Sequence, residues 1–355
     1  MLLERKRCEM KPVCNSVSVC VPATSANLGS GFDVAGIALD YADSLVFTLD
    51  DALDDSQDVR VIIHGEGEDT LPKDETNLVV RAFREACGAF GLPHLRFTLE
   101  SHNRIPQARG MGSSASAIVS GVAAAWAFAH NGNLNKQAIF ELAAAIEGHP
   151  DNVAPAVFGG LTTSWKNGDE FHTVRYGVSK QIRATIFVPN FTLSTQMARQ
   201  ALPEKVPYAD AVFNVSRACL LPIAFGDFGD FGDFGDSRDS ANSCDSCVKS
   251  TLSRNDLLFT ATQDAIHQPY RASLMQPTWD LVKALRDKGF AAAISGAGSC
   301  AAVFYDEKSP ATVDENNATN ISEKIEKIAE PLLSGCDWKV LHVHVDSIGV
   351  AITRE

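Results

Sequence analysis

The sequence predicts an α+β protein built from two lobes. Strand-like apolar runs occur in both halves of the chain, and helical segments fall between them without a regular order. This irregular order disfavours a doubly wound parallel sheet, in which strands and helices alternate. At 355 residues the chain is long enough to form two substantial hydrophobic cores.

The strands are predicted from short apolar runs that are bounded by turn-forming residues. These runs lie at residues 17–21, 44–49, 59–64, 95–100, 161–165, 182–188, 290–294, 301–305, 339–345 and 349–353.

The helices are predicted from apolar residues that recur every three or four positions. One begins near Leu78 and ends at Gly91, because glycine readily adopts the left-handed conformation that ends a helix. Another begins after Asn135, which can cap the first amides, and ends at Gly148. Further helical segments are predicted at 118–129, 208–224, 255–267, 278–288 and 322–333.

The boundary between the lobes is predicted in the polar stretch at 165–181. We therefore expect a tail at 1–15, an N-terminal domain at 16–175 and a C-terminal domain at 176–355. Within the second domain, a Gly-Asp-Phe repeat and a serine-rich run occupy residues 226–253. Glycine and aspartate favour neither helix nor strand, so this insertion is expected to be disordered.

The composition is typical of a soluble globular protein and argues against several partners. The formal net charge is −13, whereas nucleic acid binds basic surfaces. The longest apolar stretch, 118–129, is too short to cross a membrane, and residues 1–15 lack the apolar core of a signal peptide. Nine scattered cysteines, including a Cys244/Cys247 pair without further zinc ligands, favour a cytoplasmic protein with reduced thiols.

The most informative segment is a glycine- and serine-rich loop directly before the apolar helix. Its glycines let backbone amides approach an anion, and the helix start offers unpaired amides with a partial positive charge. Such a loop can hold phosphate groups, although a capped helix after a glycine turn fits the same residues. The candidate nucleotide-binding residues are Pro106, Gln107, Ala108, Arg109, Gly110, Met111, Gly112, Ser113, Ser114, Ala115 and Ser116.

Two glycine patterns resemble the dinucleotide-binding fingerprint, but their surroundings do not. The pattern at 110–115 follows a polar loop instead of a buried strand, and no acidic residue lies about twenty positions beyond it. The pattern at 296–301 leads into another strand, which predicts a hairpin whose glycines pass close to a ligand or to neighbouring backbone. A Rossmann dehydrogenase is therefore disfavoured.

At these clusters the chain resembles the GHMP kinases, the family of galactokinase, homoserine kinase and mevalonate kinase. The family's nucleotide loop reads P-x-x-x-G-L-G-S-S-A-A, and residues 106–116 match it with Met111 for leucine and Ser116 for alanine. The late glycine motif departs from the family, because Ser299 and Cys300 stand where proline and a hydroxyl residue are usual.

Within the family the motifs are most similar to those of the homoserine kinases. The similar segments lie at 24–33, 149–155, 158–160 and 269–271, and the resemblance runs from about residue 17 to residue 353. It implies an α+β nucleotide-binding lobe followed by a ferredoxin-like α+β lobe. It further implies ATP as co-substrate and the phosphorylation of L-homoserine to O-phospho-L-homoserine, a step of threonine biosynthesis.

The resemblance also implies roles for individual residues. Ser114 and Glu141 would bind Mg²⁺, although by periodicity alone Glu141 is a solvated glutamate on a polar helix face. Arg199 and Arg271 would hold the substrate carboxylate, because a planar guanidinium pairs with it bidentately. The other substrate-side positions are Asn27, Asp33, His149, Asp151 and Thr195.

The implied reaction is direct in-line transfer of the γ-phosphoryl group, which depends mainly on positioning and charge neutralisation. Asn27, Asp33 and Arg199 are the candidate catalytic residues, with Asn27 orienting the hydroxyl, and no residue is assigned as a general base. A GHMP kinase for mevalonate or a sugar, and a non-catalytic nucleotide-binding sensor, stay open as alternatives. A homodimer would be typical of the family.

Overall fold

The computed structural model describes residues 10–54, 56–227, 252–308 and 320–355. Most of the tail predicted at 1–15 and most of the insertion predicted at 226–253, including Cys244 and Cys247, lie outside the described residues. In the part of the chain that the structure describes, no helix has the length and apolar character needed to span a membrane.

A seven-stranded sheet forms the N-terminal lobe, with the strand order β11-β1-β2-β4-β3, with β5 paired to the start of β2 and with β6 paired to β5. All neighbours are antiparallel except β3 and β4, which are parallel. The strands are β1 (Ser16–Ala26), β2 (Ala35–Leu49), β3 (Val59–Gly65), β4 (Phe97–Asn103), β5 (Leu161–Asn167), β6 (Glu170–Tyr176) and β11 (Ala351–Arg354).

Helices cover one face of this sheet and build its core. Phe83 lies at the centre, with its ring centroid 5.2 Å from that of Phe47, 4.7 Å from that of Phe97 and 6.0 Å from that of Phe128. These rings come from β2, β4 and two helices, so the cluster joins the sheet to its cover. The helices are α1 (Leu78–Phe90), α2 (Ser113–Ala129), α3 (Lys136–Glu147) and α4 (Val153–Phe158).

The C-terminal lobe contains a four-stranded antiparallel sheet with the order β10-β7-β9-β8. This is the strand order of a ferredoxin-like fold. The strands are β7 (Ile182–Pro189), β8 (Ala291–Ile294), β9 (Ala301–Asp306) and β10 (Trp338–His344). The helices are α5 (Thr195–Gln200), α6 (Tyr208–Ala218), α7 (Leu221–Phe225), α8 (Arg254–Ala261), α9 (Gln268–Arg271), α10 (Gln276–Arg286) and α11 (Ile321–Ala329), and 3₁₀ turns lie at Ala272–Leu274 and Glu330–Gly335.

The second sheet is buried on both faces. Alternate residues such as Phe187 and Val303 pack in one core with α10 and α11. Their neighbours Ile186 and Ala302 pack in a different core that also contains residues of the N-terminal lobe, such as Leu28 and Met111. The two lobes therefore share a hydrophobic core in addition to their own.

The sequence-based outline matches most elements and differs from the structure in several segments. The helix ends at Gly91 and Gly148 are confirmed, with φ of 79° and 86°. Strand β6 was not predicted and lies in the segment expected to be the boundary between the lobes. Its polar, partly exposed residues show no apolar alternation that would indicate a strand. The segment 208–224 forms two helices with a proline at the start of the second, and the segment 255–267 leaves the helix after Ala261.

The last strand is a departure from the predicted division of the chain. β11 pairs antiparallel with β1, so the C-terminal end returns to the N-terminal sheet. The division at residue 175 assigned these residues to the second lobe, because the pattern of a strand does not reveal its partner.

Candidate functional site

A cavity of about 420 Å³ lies between the lobes. The N-terminal lobe supplies the loop before α2 together with parts of β3 and β4, and the C-terminal lobe supplies α5, Arg271 and the turn between β8 and β9. Seven residues of the predicted nucleotide loop line the cavity: Gln107, Ala108, Gly110, Gly112, Ser113, Ser114 and Ser116.

The loop at 106–112 can hold its shape only with glycine at two positions. Gly110 and Gly112 have φ of 80° and 72°, in the left-handed region. A Cβ on Gly110 would lie 2.1 Å from the Ser295 carbonyl oxygen, and one on Gly112 would lie 1.9 Å from the Thr24 hydroxyl oxygen. The backbone amides of this loop therefore lie at the start of α2 without side chains at positions 110 and 112.

The glycine turn between β8 and β9 packs directly against this loop. The sequence left open whether these glycines pass close to a ligand or to neighbouring backbone, and the structure shows contact with backbone. The Ser295 hydroxyl donates to the Gly110 carbonyl at 2.6 Å, and the Cys300 amide donates to the Arg109 carbonyl at 3.0 Å. The turn residues Gly296 and Gly298 also line the cavity. The turn thus supports the loop and contributes to the cavity wall.

Four residues of the predicted nucleotide loop do not line the cavity. Met111 is fully buried in the core shared by the lobes. The Arg109 guanidinium donates to the carbonyls of Pro189 and Asn190, so it ties the loop to the end of β7. The other two are Pro106 and Ala115, both buried.

Asp43 is a buried carboxylate of this site that sequence reasoning missed. It accepts hydrogen bonds from the amides of Arg104 and Ile105 at 2.7 and 2.9 Å and from the Ser116 hydroxyl at 3.2 Å. Burial raises its pKa. Asp43 therefore connects β2 to both ends of the nucleotide loop, a role that its position in a strand did not reveal.

Glu147, and not the predicted metal ligand Glu141, is the glutamate that contacts Ser114. The Ser114 hydroxyl donates to a Glu147 carboxylate oxygen at 2.8 Å, and both residues line the cavity. Glu141 is exposed and accepts a hydrogen bond from Gln137 on its own helix. Six residues of α-helix turn about 600°, so these two glutamates of α3 point to different sides.

Burial distinguishes Glu147 from an ordinary surface glutamate. Its side chain is only 10 % exposed, and this burial raises the pKa of its carboxyl group. The Ser114 hydroxyl and the neighbouring His149 act in the opposite direction, because both stabilise the ionised form. A carboxylate held in this way is a suitable ligand for a cation in the cavity.

The predicted substrate-side residues come together at the other end of the cavity. Arg199 makes a bidentate pair with Asp33, with nitrogen–oxygen distances of 3.0 and 3.1 Å. The Asn27 amide donates to the Gly296 carbonyl at 2.7 Å and accepts from the Asp33 amide at 2.9 Å, so it braces the loop beside both lobes. Thr195 opens α5 and lines the same wall.

His149 and Asp151 form a second charged pair at this end. The His149 Nδ1 atom lies 2.9 Å from an Asp151 carboxylate oxygen. This hydrogen bond raises the pKa of His149, against the opposing effect of burial. Glu147 lies on the other side of the ring, 3.9 Å from Nε2.

Arg271 is nearly buried and is held by several contacts. Its Nε donates to the Ala198 carbonyl at 3.2 Å, its Nη1 lies 3.3 Å from Nδ1 of His267, and its guanidinium lies 5.0 Å from the centre of the Phe32 ring. The side chain is therefore fixed where it meets the cavity.

His267, which sequence reasoning missed, orients this arginine. The ring is fully buried and lies with Nε2 2.8 Å from the Gly29 carbonyl, where it must donate a proton. Its Nδ1 is then free of a proton and can accept from Arg271. Burial lowers the pKa of His267 to about 4, which keeps the ring neutral. The only signal in the sequence was its position just before the 269–271 motif.

The arrangement suits a small zwitterion that faces phosphate groups. Arg199 and Arg271 offer positive charge, and Asp33 and Asp151 offer negative charge, within one end of one cavity. The other end presents backbone amides and the Ser114–Glu147 pair.

Comparison with known proteins gives the same family in both halves of the chain. Residues 77–160 match the N-terminal domain of the GHMP kinases, and residues 248–323 match their C-terminal domain. A homoserine kinase of Clavibacter michiganensis is 43 % identical over 79 % of this chain and 80 % of its own length. One of Streptomyces coelicolor is 36 % identical over 95 % of this chain and 94 % of its own.

Solved structures show the same fold over nearly the whole length. The homoserine kinase of Cytophaga hutchinsonii superposes with a TM-score of 0.74 at 24 % identity, covering 96 % of this chain and 98 % of its own. A putative homoserine kinase of Listeria monocytogenes gives 0.66 at 27 % identity, with 96 % and 99 % covered. A mevalonate kinase of L. major gives 0.61 at 13 % identity, with 95 % and 99 % covered.

The His149–Asp151 pair predicts a titration that can be measured. We expect the His149 ring to titrate by NMR above the ordinary value of about 6.5, and Asp151→Asn to lower that midpoint. The protonated ring then stabilises the folded protein fully below the unfolded pKa, and this contribution is lost as the pH rises through the folded pKa. The exposed substitution Asp169→Asn is the control. If Asp151→Asn leaves the titration midpoint of His149 unchanged, Asp151 is not the group that raises the pKa of this ring.

Proposed function

This chain belongs to the homoserine kinase group of the GHMP kinases, and we propose that it transfers the γ-phosphoryl group of ATP to the side-chain hydroxyl of L-homoserine. The products would be ADP and O-phospho-L-homoserine, an intermediate of threonine biosynthesis. The observation that carries this proposal is the group of opposite charges on Arg199, Arg271 and Asp33, facing a phosphate-binding loop across one cavity.

The Asp33–Arg199 pair explains how the site can receive an amino acid. Both side chains are partly exposed, at 36 % and 41 %, so their mutual attraction is screened and is worth about 1 kcal/mol or less. An incoming zwitterion can replace this ion pair with two new ion pairs. Its ammonium group would bind Asp33, and its carboxylate would bind Arg199. Arg271 would add a second cation for the carboxylate, in an orientation that His267 already holds.

The nucleotide phosphates would lie against the loop at 106–112. The loop leads into α2, a helix of 17 residues, whose first amides have no partners within the helix. These amides and the partial positive charge of the helix start favour phosphate oxygens. Gly110 and Gly112 carry no side chains, so the backbone at these two positions is open to a phosphate group.

Ser114 and Glu147 fit a Mg²⁺ site. They place a hydroxyl and a carboxylate 2.8 Å apart at the cavity wall, and Mg²⁺ takes such hard oxygens together with water and phosphate. A bound Mg²⁺ would neutralise charge on the phosphate groups during transfer. We propose Glu147 for this role in place of Glu141, which the structure puts on the exposed side of α3.

Transfer in this site depends on alignment and assigns no general base. The two carboxylates nearest the substrate end, Asp33 and Asp151, are already paired with Arg199 and His149. The residues present would bind both reactants and hold the hydroxyl in line with the γ-phosphorus, which is the main requirement of phosphoryl transfer.

ADP release in the steady state tests the proposed function. We expect turnover with L-homoserine to exceed clearly that with L-serine, L-threonine, mevalonate or galactose at equal concentration. Preference for mevalonate or galactose would identify a different GHMP kinase. Tight ATP binding without turnover on any acceptor would indicate a sensor and overturn the proposal.

Substitution of the two glutamates of α3 separates the metal ligand from its neighbour. We expect Glu147→Gln to lower turnover by about a hundredfold and to raise the Mg²⁺ concentration needed for half-maximal activity. Glu141→Gln is the matched control and should leave both quantities unchanged, because its side chain is exposed and outside the cavity. Equal effects of the two substitutions would contradict this assignment.

Arg271→Ala tests the carboxylate site. We expect the KM for L-homoserine to rise by roughly 10- to 150-fold, the range for loss of a charged hydrogen-bond partner, with ATP affinity nearly intact. Arg217→Ala, a partly buried arginine outside the cavity, is the control. If Arg271→Ala weakens ATP and homoserine binding equally and lowers the melting temperature, the role of Arg271 is structural.

A further inference from the structure

Three potential metal ligands lie together on the outer face of the N-terminal sheet. His64 on β3 stands directly opposite His102 on β4 in the parallel pairing, and Glu100 precedes His102 by two residues. Side chains two residues apart on a strand share a face, so all three project from the same side. They are between 45 % and 56 % exposed and open to solvent.

The donor atoms already converge. Glu100 Oε1 lies 3.1 Å from Nε2 of His64 and 3.5 Å from Nε2 of His102, and the donor atoms of all three residues lie within 4.8 Å of one another. Tetrahedral zinc has ligand bonds of about 2.0–2.2 Å, which places its ligand atoms about 3.3 Å apart. The two shorter separations bracket this value. The remaining separation, between the donor nitrogens of His64 and His102, can shorten by rotation of these exposed side chains.

Within the described ranges this is the one group of three such side chains with converging donor atoms. The exposed His94, by comparison, lies near a single carboxylate, that of Asp58, at 3.2 Å. The rings of His64 and His102 stack with centroids 4.6 Å apart, which turns both Nε2 atoms toward the same oxygen. Strand pairing of β3 with β4 fixes the backbone beneath them.

We propose that His64, Glu100 and His102 form a binding site for a transition-metal cation such as Zn²⁺, separate from the Mg²⁺ position in the cavity. Imidazole and carboxylate together suit Zn²⁺, Ni²⁺ and Cu²⁺, whereas Mg²⁺ prefers a shell of oxygens and retains its water. The three side chains leave a fourth coordination position for water or another ligand.

The site lies on the back of the cavity wall. The residues that alternate with these ligands, Ile63, Leu99 and Ser101, point to the opposite face and line the cavity. A cation bound to β3 and β4 together cross-links the two strands that form this wall. Its expected effect is on the stability of the wall, since none of the three ligands lines the cavity.

Calorimetric titration with ZnCl₂ and with MgCl₂ tests the site on the full chain without a histidine tag. Cys244→Ser and Cys247→Ser form the background, so that these thiols do not compete for zinc. We expect one saturable Zn²⁺ site per chain, a higher melting temperature with Zn²⁺, and no comparable binding of Mg²⁺. Binding should weaken as the solution is acidified, because a protonated imidazole nitrogen cannot ligate a metal.

Substitution identifies the ligands. The double substitution His64→Ala and His102→Ala should abolish saturable Zn²⁺ binding and the rise in melting temperature, while the control His94→Ala keeps both. Kinase turnover should be unchanged in the double variant, which shows that it is folded. In the background protein, Zn²⁺ should shift the NMR signals of the His64 and His102 rings. The proposal is overturned if the double variant still binds Zn²⁺ with the same affinity. It is also overturned if the background protein shows no saturable Zn²⁺ binding.

Discussion

The cavity depends on the contact between two pieces of backbone that come from different lobes. The loop before α2 meets the turn between β8 and β9 at Gly110, where the carbonyl oxygen of Ser295 occupies the space a side chain would need. The Ser295 hydroxyl and the Cys300 amide fasten the two segments together. Because the lobes also share a hydrophobic core, this contact and the core together position the loop before α2 against the second lobe.

Paired charges make up one end of the cavity, and their burial differs in a way that suits the proposed binding of an amino acid. The Asp33–Arg199 pair is partly exposed and can open for a ligand at small cost. Arg271 is buried, and a buried charge is tolerated only with partners. Neutral His267, the Ala198 carbonyl and the Phe32 ring supply them. One arginine is thus movable and the other is fixed.

The motifs of the site were readable from the sequence because each is local. The glycines and serines at 110–114 lie within five positions, and the segments at 24–33 and 149–155 are nearly as short. Such segments carry their own backbone geometry, so Gly110 and Gly112 could be placed at the candidate site before any contact was known. Asn27, Asp33, Arg199 and Arg271 needed the family resemblance, and a lone arginine on a helix is otherwise usually solvated.

Residue order and apolar period alone determined the α+β class, most strands and helices, and the glycine-rich loop before α2 as a candidate phosphate site. Which glutamate meets Ser114, which strand β11 joins, and that His267 orients Arg271 were decided only by the tertiary structure. The physical reason is that each deciding partner is distant in the chain. Ser114 and Glu147 lie 33 residues apart, β1 and β11 pair across about 335 residues, and the Gly29 carbonyl that sets the His267 tautomer lies 238 residues from that ring. Such partners are selected by the turn of a helix, the register of a sheet or the packing of the lobes, which local sequence does not show.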